Sequence, residues 1–193
     1  MKDLSMEERF SGYLADSINK NIQLSNVELA KIKYGISTLL INLVKVTLIY
    51  TASIILGDIK ETLICHLIFC LMRRYCYGVH AKSSIVCSLI GVFYFSVCPL
   101  IVLNYSFGIS RELVILLGII FLIIIFHKVP AYTKNSKISD TKKKRNKALI
   151  INILTICGIL VLADEKIRLI AFMGIFLSIL LTIPIRKGDK KNE

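Results

Sequence analysis

A chain of 193 residues that is 55% apolar, with a mean hydropathy of +0.68, carries more hydrophobic side chain than a soluble core of that size can bury. This excludes an ordinary soluble domain and predicts an integral membrane protein. The formal charge of +12 would suit nucleic acid, but its distribution along the chain follows membrane topology, so no nucleic-acid partner is expected.

The first 35 residues carry ten charged side chains and no early apolar core. No secretory signal peptide is expected there, and the first membrane helix is retained. Phe10, Tyr13, Leu14 and Ile18 recur at helical spacing, which predicts an amphipathic helix lying on the membrane surface or docked on the protein itself. Ser25-Asn26-Val27-Glu28 reads as a capping box, so the first spanning helix should begin near Asn26.

Six apolar runs follow, Ile36–Leu56, Ile59–Met72, Ile85–Leu103, Leu113–Phe126, Ala148–Ala163 and Ile167–Ile185. A spanning helix needs about 20 mostly apolar residues. The runs 59–72 and 113–126 fall short; they either borrow flanking polar residues or form re-entrant helices. The fold class expected is all-α, a polytopic membrane protein of about six hydrophobic helices. It has an amphipathic segment over 1–25, a membrane domain over 26–185 and a basic tail over 186–193.

If all six runs cross, residues 1–35, 73–84, 128–147 and 186–193 share one side and hold 20 of the 25 Lys and Arg. The opposite side holds Lys60, Arg111, Lys166 and Arg168. The positive-inside rule then places both termini and the segment around residue 80 in the cytoplasm of a multi-pass cell-membrane protein. The run Lys142-Lys143-Lys144-Arg145 is in the first place a topology signal that also meets lipid headgroups.

Six cysteines build no disulfide framework on this reading: Cys65, Cys70, Cys98 and Cys157 lie in apolar runs, and Cys76 and Cys87 face the reducing side. Cys65, His66, Cys70, Cys76, His80 and Cys87 lack the paired short-range spacing of a zinc site, and neither metal nor cofactor is expected.

His80 and Cys87 stand out as a candidate base and nucleophile in a polar interruption between two apolar runs. Seven residues along one straight helix would separate them by about 10 Å, too far for proton transfer. The chain must bend, which Gly78 permits, and Ser83 or Ser84 can cap a new helix. A helix starting near Ser84 puts Cys87 in its first turn, where the positive end of the helix dipole favours the thiolate. Its free N–H groups, with Ser83 or Ser84 assisting, are candidate oxyanion donors. Arg73 could bind an acidic peptide tail or an oxyanion, or simply anchor the cytoplasmic side. Asp140 could orient the imidazole, although a solvated loop carboxylate is the simpler reading. Lys45, in the middle of the first run, could wall a substrate cavity, or satisfy itself with a carbonyl or Asn42.

The segment Arg73…Gly78-Val79-His80-Ala81-Lys82-Ser83-Ser84…Cys87 resembles the signature of the accessory gene regulator B (AgrB) family, membrane cysteine endopeptidases that process quorum-sensing propeptides. Chain length, the amphipathic N-terminus, the hydropathy pattern and Pro130-Ala131-Tyr132-Thr133-Lys134 followed by a Lys-rich run extend the likeness over nearly the whole chain. The resemblance implies Cys87 as nucleophile, His80 as general base, and Arg73 and Gly78 as motif positions. It also implies a small AgrD-like propeptide as substrate, a thioester on Cys87, thiolactone cyclisation of the released peptide and a homodimer. Gly174 and Ser178, four residues apart on the last run, offer a packing face for such a dimer. The alternative is a non-enzymatic membrane transporter or exporter of a small peptide, lined by Lys45 and the basic loops.

Overall fold

The computed structural model describes residues 6–22, 24–76, 84–105, 107–129 and 141–183, and all the regular structure among them is helical. The chain divides into two units, residues 1–51 and 52–193.

In the first unit, α1 (Met6–Ile22) packs through a face of small residues, Ser11 and Ala15. Its apolar stripe stays open: Phe10 is 53% and Tyr13 70% exposed. Lys33 and Asp16 form an ion pair at 2.9 Å. α2 (Asn26–Leu56) starts where the sequence places it. Glu28 Oε2 accepts from the Ser25 N–H at 3.0 Å and the Ser25 hydroxyl at 2.7 Å, and Ser25 Oγ accepts the Glu28 N–H at 3.4 Å. At 31 residues the helix is about 46 Å long, more than a bilayer core requires. Leu39 and Leu43 project from it well exposed.

The second unit opens at the end of α2. Gly57 adopts φ 79°, the left-handed conformation that glycine takes at low cost, and the Gly57 and Asp58 N–H groups both donate to the Ser53 carbonyl at 2.9 and 3.1 Å. One residue later α3 (Ile59–Cys76) begins. α4 (Ser84–Val92) runs through a π-helical stretch, Phe93–Val97, into α5 (Cys98–Asn104). Pro99 explains the stretch. Without an N–H it leaves the Phe95 carbonyl unpaired, and the helix widens so that the Cys98 N–H reaches Phe93 O. The Thr62 hydroxyl on α3 donates to the freed Phe95 carbonyl at 2.7 Å. Replacing Thr62 with valine should therefore cost about 1–3 kcal/mol, while Thr62→Ser should recover most of it. Thermal unfolding in detergent would show this, and equal midpoints for the two variants would refute it.

α6 (Arg111–Lys128) is capped by Ser110, whose hydroxyl accepts the Leu113 N–H at 3.3 Å. α8 (Glu165–Leu180) is capped by Asp164, which accepts from the Lys166 and Ile167 N–H groups at 2.7 and 3.2 Å. α7 (Thr141–Val161) begins seven residues before its apolar run, so Lys142–Arg145 form its first turns rather than a loop. This extends the helix beyond the sequence reading, and Arg145 stacks over the Phe126 ring at 4.7 Å. α3 and α6, the two short runs, are uninterrupted 18-residue helices that take in flanking charges.

α3 packs mainly on α8, with α6 and α7 completing the core. Met72, Ile125, Ile175 and Ile179 are fully enclosed there, and Phe121 stacks on Phe172 at 5.3 Å. The outward faces are apolar as well: Leu67, Leu116 and Leu154 are all more than half exposed. By length and composition, Asn26–Leu56 and Ile85–Asn104 can cross a membrane.

Lys166 and Arg168, which the sequence reading treats only as topology charges, hold backbone carbonyls. Arg168 is 3% exposed and donates to the carbonyls of Ile109 at 2.7 Å, Leu162 at 2.9 Å and Ala163 at 3.0 Å. Lys166 Nζ donates to Leu103 O at 2.9 Å, closing the end of α5.

Candidate functional site

The last turn of α3 carries Arg73 and Cys76, three residues apart and hence on one face. Cys87 is the fourth residue of α4, in its first turn, as expected from a helix start at Ser84. It is half-buried. The Arg73 guanidinium lies within electrostatic reach of both the Cys76 and the Cys87 thiols. A cation there attracts any anion that forms beside it. The first turn of α4 adds the positive end of a helix dipole.

Cys76 is fully enclosed, with Ser178 of α8 beside its sulfur. The sequence reading passed over Cys76 as a catalytic neighbour, although its spacing from Arg73 was visible. It also assigned Gly174 and Ser178 to a dimer face. Both are buried against α3 within one chain: a Cβ on Gly174 would lie 2.5 Å from the Cys65 carbonyl oxygen. That face is therefore not available to a second copy.

His80, Gly78, Ser83 and Asp140 lie outside the described residues, as does the Ser84 side chain. Lys45 belongs to the first unit, where it is half-buried and has an interaction partner. His66 packs in a cluster of aromatic rings, 4.8 Å from Phe95 and 6.5 Å from Phe69. Among the described residues no group of three His, Cys, Asp or Glu side chains is placed to hold a metal ion. All six cysteines are free thiols.

The described residues define a class: all-helical, with an apolar exterior, two helices long and apolar enough to cross a membrane, and a thiol in the first turn of a helix within electrostatic reach of a half-buried arginine. The family model for accessory gene regulator B matches residues 11–183. Accessory gene regulator protein B of Staphylococcus epidermidis is 30% identical over 181 residues, covering 92% of this chain and 89% of the relative. The protein of that name from Staphylococcus aureus strain MW2 is 31% identical over 179 residues, 92% of each chain. That of Staphylococcus lugdunensis is 29% identical over 180 residues, again 92% of each. This chain belongs to the accessory gene regulator B family. No solved structure matches it.

Proposed function

We propose that this protein is a membrane cysteine endopeptidase that cleaves the C-terminal part of a short AgrD-like propeptide and promotes its thiolactone cyclisation in quorum sensing. The observation that carries the reading is Cys87 in the first turn of α4 with the Arg73 guanidinium in reach. His80 takes the Cys87 proton, and the thiolate attacks the scissile carbonyl. Negative charge on the tetrahedral oxygen is met by N–H groups at the α4 start, with Ser83 and Ser84 as candidate helpers. Collapse expels the tail as an amine, which takes the proton from His80, and leaves the peptide as a thioester on Cys87. A cysteine thiol of the bound peptide then attacks that thioester, closing the ring and freeing Cys87. Arg73 binds the acidic tail of the propeptide or the oxyanion.

The protein crosses the cell membrane several times, with both termini and the site in the cytoplasm. Support for this comes from the 20 basic residues that six crossings gather on one side and from the exposed leucines along the helices. The open Phe10 and Tyr13 stripe of α1 suits a lipid surface. The active form is a homodimer, with an interface other than the Gly174 and Ser178 face.

The test is to trap the thioester. Propeptide whose cyclising cysteine is replaced by serine should leave a covalent, hydroxylamine-labile mass on Cys87 of the wild type and none on Cys87→Ala. A protein that turns over the normal propeptide without ever carrying this adduct would exclude the thioester route.

A further inference from the structure

Asp58, the second residue of the two-residue link between α2 and α3, is fully buried, and among the described residues its Oδ1 has no hydrogen-bond partner. Its Oδ2 lies 3.5 Å from the Thr62 hydroxyl oxygen. That hydroxyl has a single proton, and the shorter bond to the Phe95 carbonyl, at 2.7 Å, uses it. Oxygen therefore faces oxygen between Thr62 and Asp58 with no proton left to join them. An ionised carboxylate here would be buried, unpaired and set against a lone pair, an arrangement that costs several kcal/mol. A proton on Oδ2 removes the charge and turns the contact into a donated hydrogen bond to Thr62.

We propose that Asp58 is a proton-binding site, held as a neutral carboxylic acid that donates to Thr62 and gives up its proton only when the packing of α2, α3 and the π-helical stretch loosens. Burial outweighs the backbone N–H of Asp58 itself, which favours the anion. On α3 the charged neighbour is Glu61, itself an anion. The end of α2 meets Asp58 with the Ser53 carbonyl, and the π-helical stretch brings the Phe95 carbonyl. Burial raises the Asp58 pKa above the usual carboxylate range, and Glu61 pushes it the same way. A carboxyl with a higher pKa folded than unfolded stabilises the fold below its ordinary value, and that contribution is lost as pH rises through the raised value. The site is independent of the peptidase reading, since it lies at the far end of α3 from Arg73.

The experiment is infrared spectroscopy of the full chain in lipid at neutral pH, comparing wild type with Asp58→Asn, whose amide can still donate to Thr62. The expected result is a protonated-carboxyl carbonyl band in the wild type that vanishes as pH is raised and is missing from the variant. Thermal stability of the wild type should fall over the same rise in pH, with Asp58→Asn showing no such fall. Absence of the band from wild type, or its persistence in Asp58→Asn, overturns the proposal. So does its loss on adding sodium at fixed pH, which would mean a cation site. Should Asp58→Asn not fold, carbodiimide labelling of the wild type decides: a mapped adduct on Asp58 supports the site, and an unlabelled Asp58 refutes it.

Discussion

Replacing Arg168 with methionine will destabilise the second unit by about 3 kcal/mol, because one buried and two part-buried carbonyls lose a charged donor. Arg168 ties two loops together. Its guanidinium bonds Ile109 O from the link before α6, and Leu162 O and Ala163 O from the link before α8. The Ile109 N–H reinforces the tie by donating to Glu165 O at 3.3 Å. A salt bridge contributes little by comparison: the Glu165 carboxylate is 3.8 Å away and 64% exposed. Lysine at 168 cannot reach three carbonyls from one nitrogen and should recover only part of the loss. Denaturant titration in mixed micelles checks this. A methionine variant with an unchanged midpoint would show that water satisfies those carbonyls.

The second large effect is expected at Gly174. A Cβ there would meet the Cys65 carbonyl oxygen at 2.5 Å and Ile68 Cβ at 3.1 Å, and the backbone of α3 cannot yield as a side-chain tip would. Gly174→Val should cost about 3 kcal/mol by forcing α3 and α8 apart. Gly174→Ala is the more informative variant. It makes the same Cβ contact without valine's two further methyl groups, and Ser178, one turn further along α8, sits against Cys76, which shares its face of α3 with Arg73. A displacement of about 1 Å at a reacting group can lower turnover roughly 100-fold. Peptide-processing assays should therefore find Gly174→Ala folded but strongly impaired, with the loss in kcat. Normal turnover at normal stability would show that the α3–α8 spacing does not set the site.

The features legible in the sequence are the local ones. The capping box at Ser25 and Glu28 fixes the start of α2, the run Ile85–Leu103 marks a helix found to end at Asn104, and Ser84 opens α4. In each case the signal lies within a few residues of the feature. Gly174 and Ser178 were misassigned because small residues at helical spacing serve an internal crossing as well as a dimer, and only the neighbour decides. Lys166 and Arg168 read as topology charges because their partners, Leu103 and Ile109, lie about sixty residues away. The π-helical stretch had a local cause in Pro99, but the group that satisfies Phe95 comes from Thr62, on another helix. At the site, Cys87 and Arg73 were named from the motif, whereas their shared guanidinium neighbourhood with Cys76 depends on how α3 meets α4.

The peptidase reading stands or falls on one measurement, the intact mass of an AgrD-like propeptide after incubation in lipid with wild type, Cys87→Ala or His80→Ala. The expected result is loss of the C-terminal tail with wild type alone, giving a product one water lighter than the linear fragment. Processing by either variant at the wild-type level would contradict it and make export of the peptide the working account.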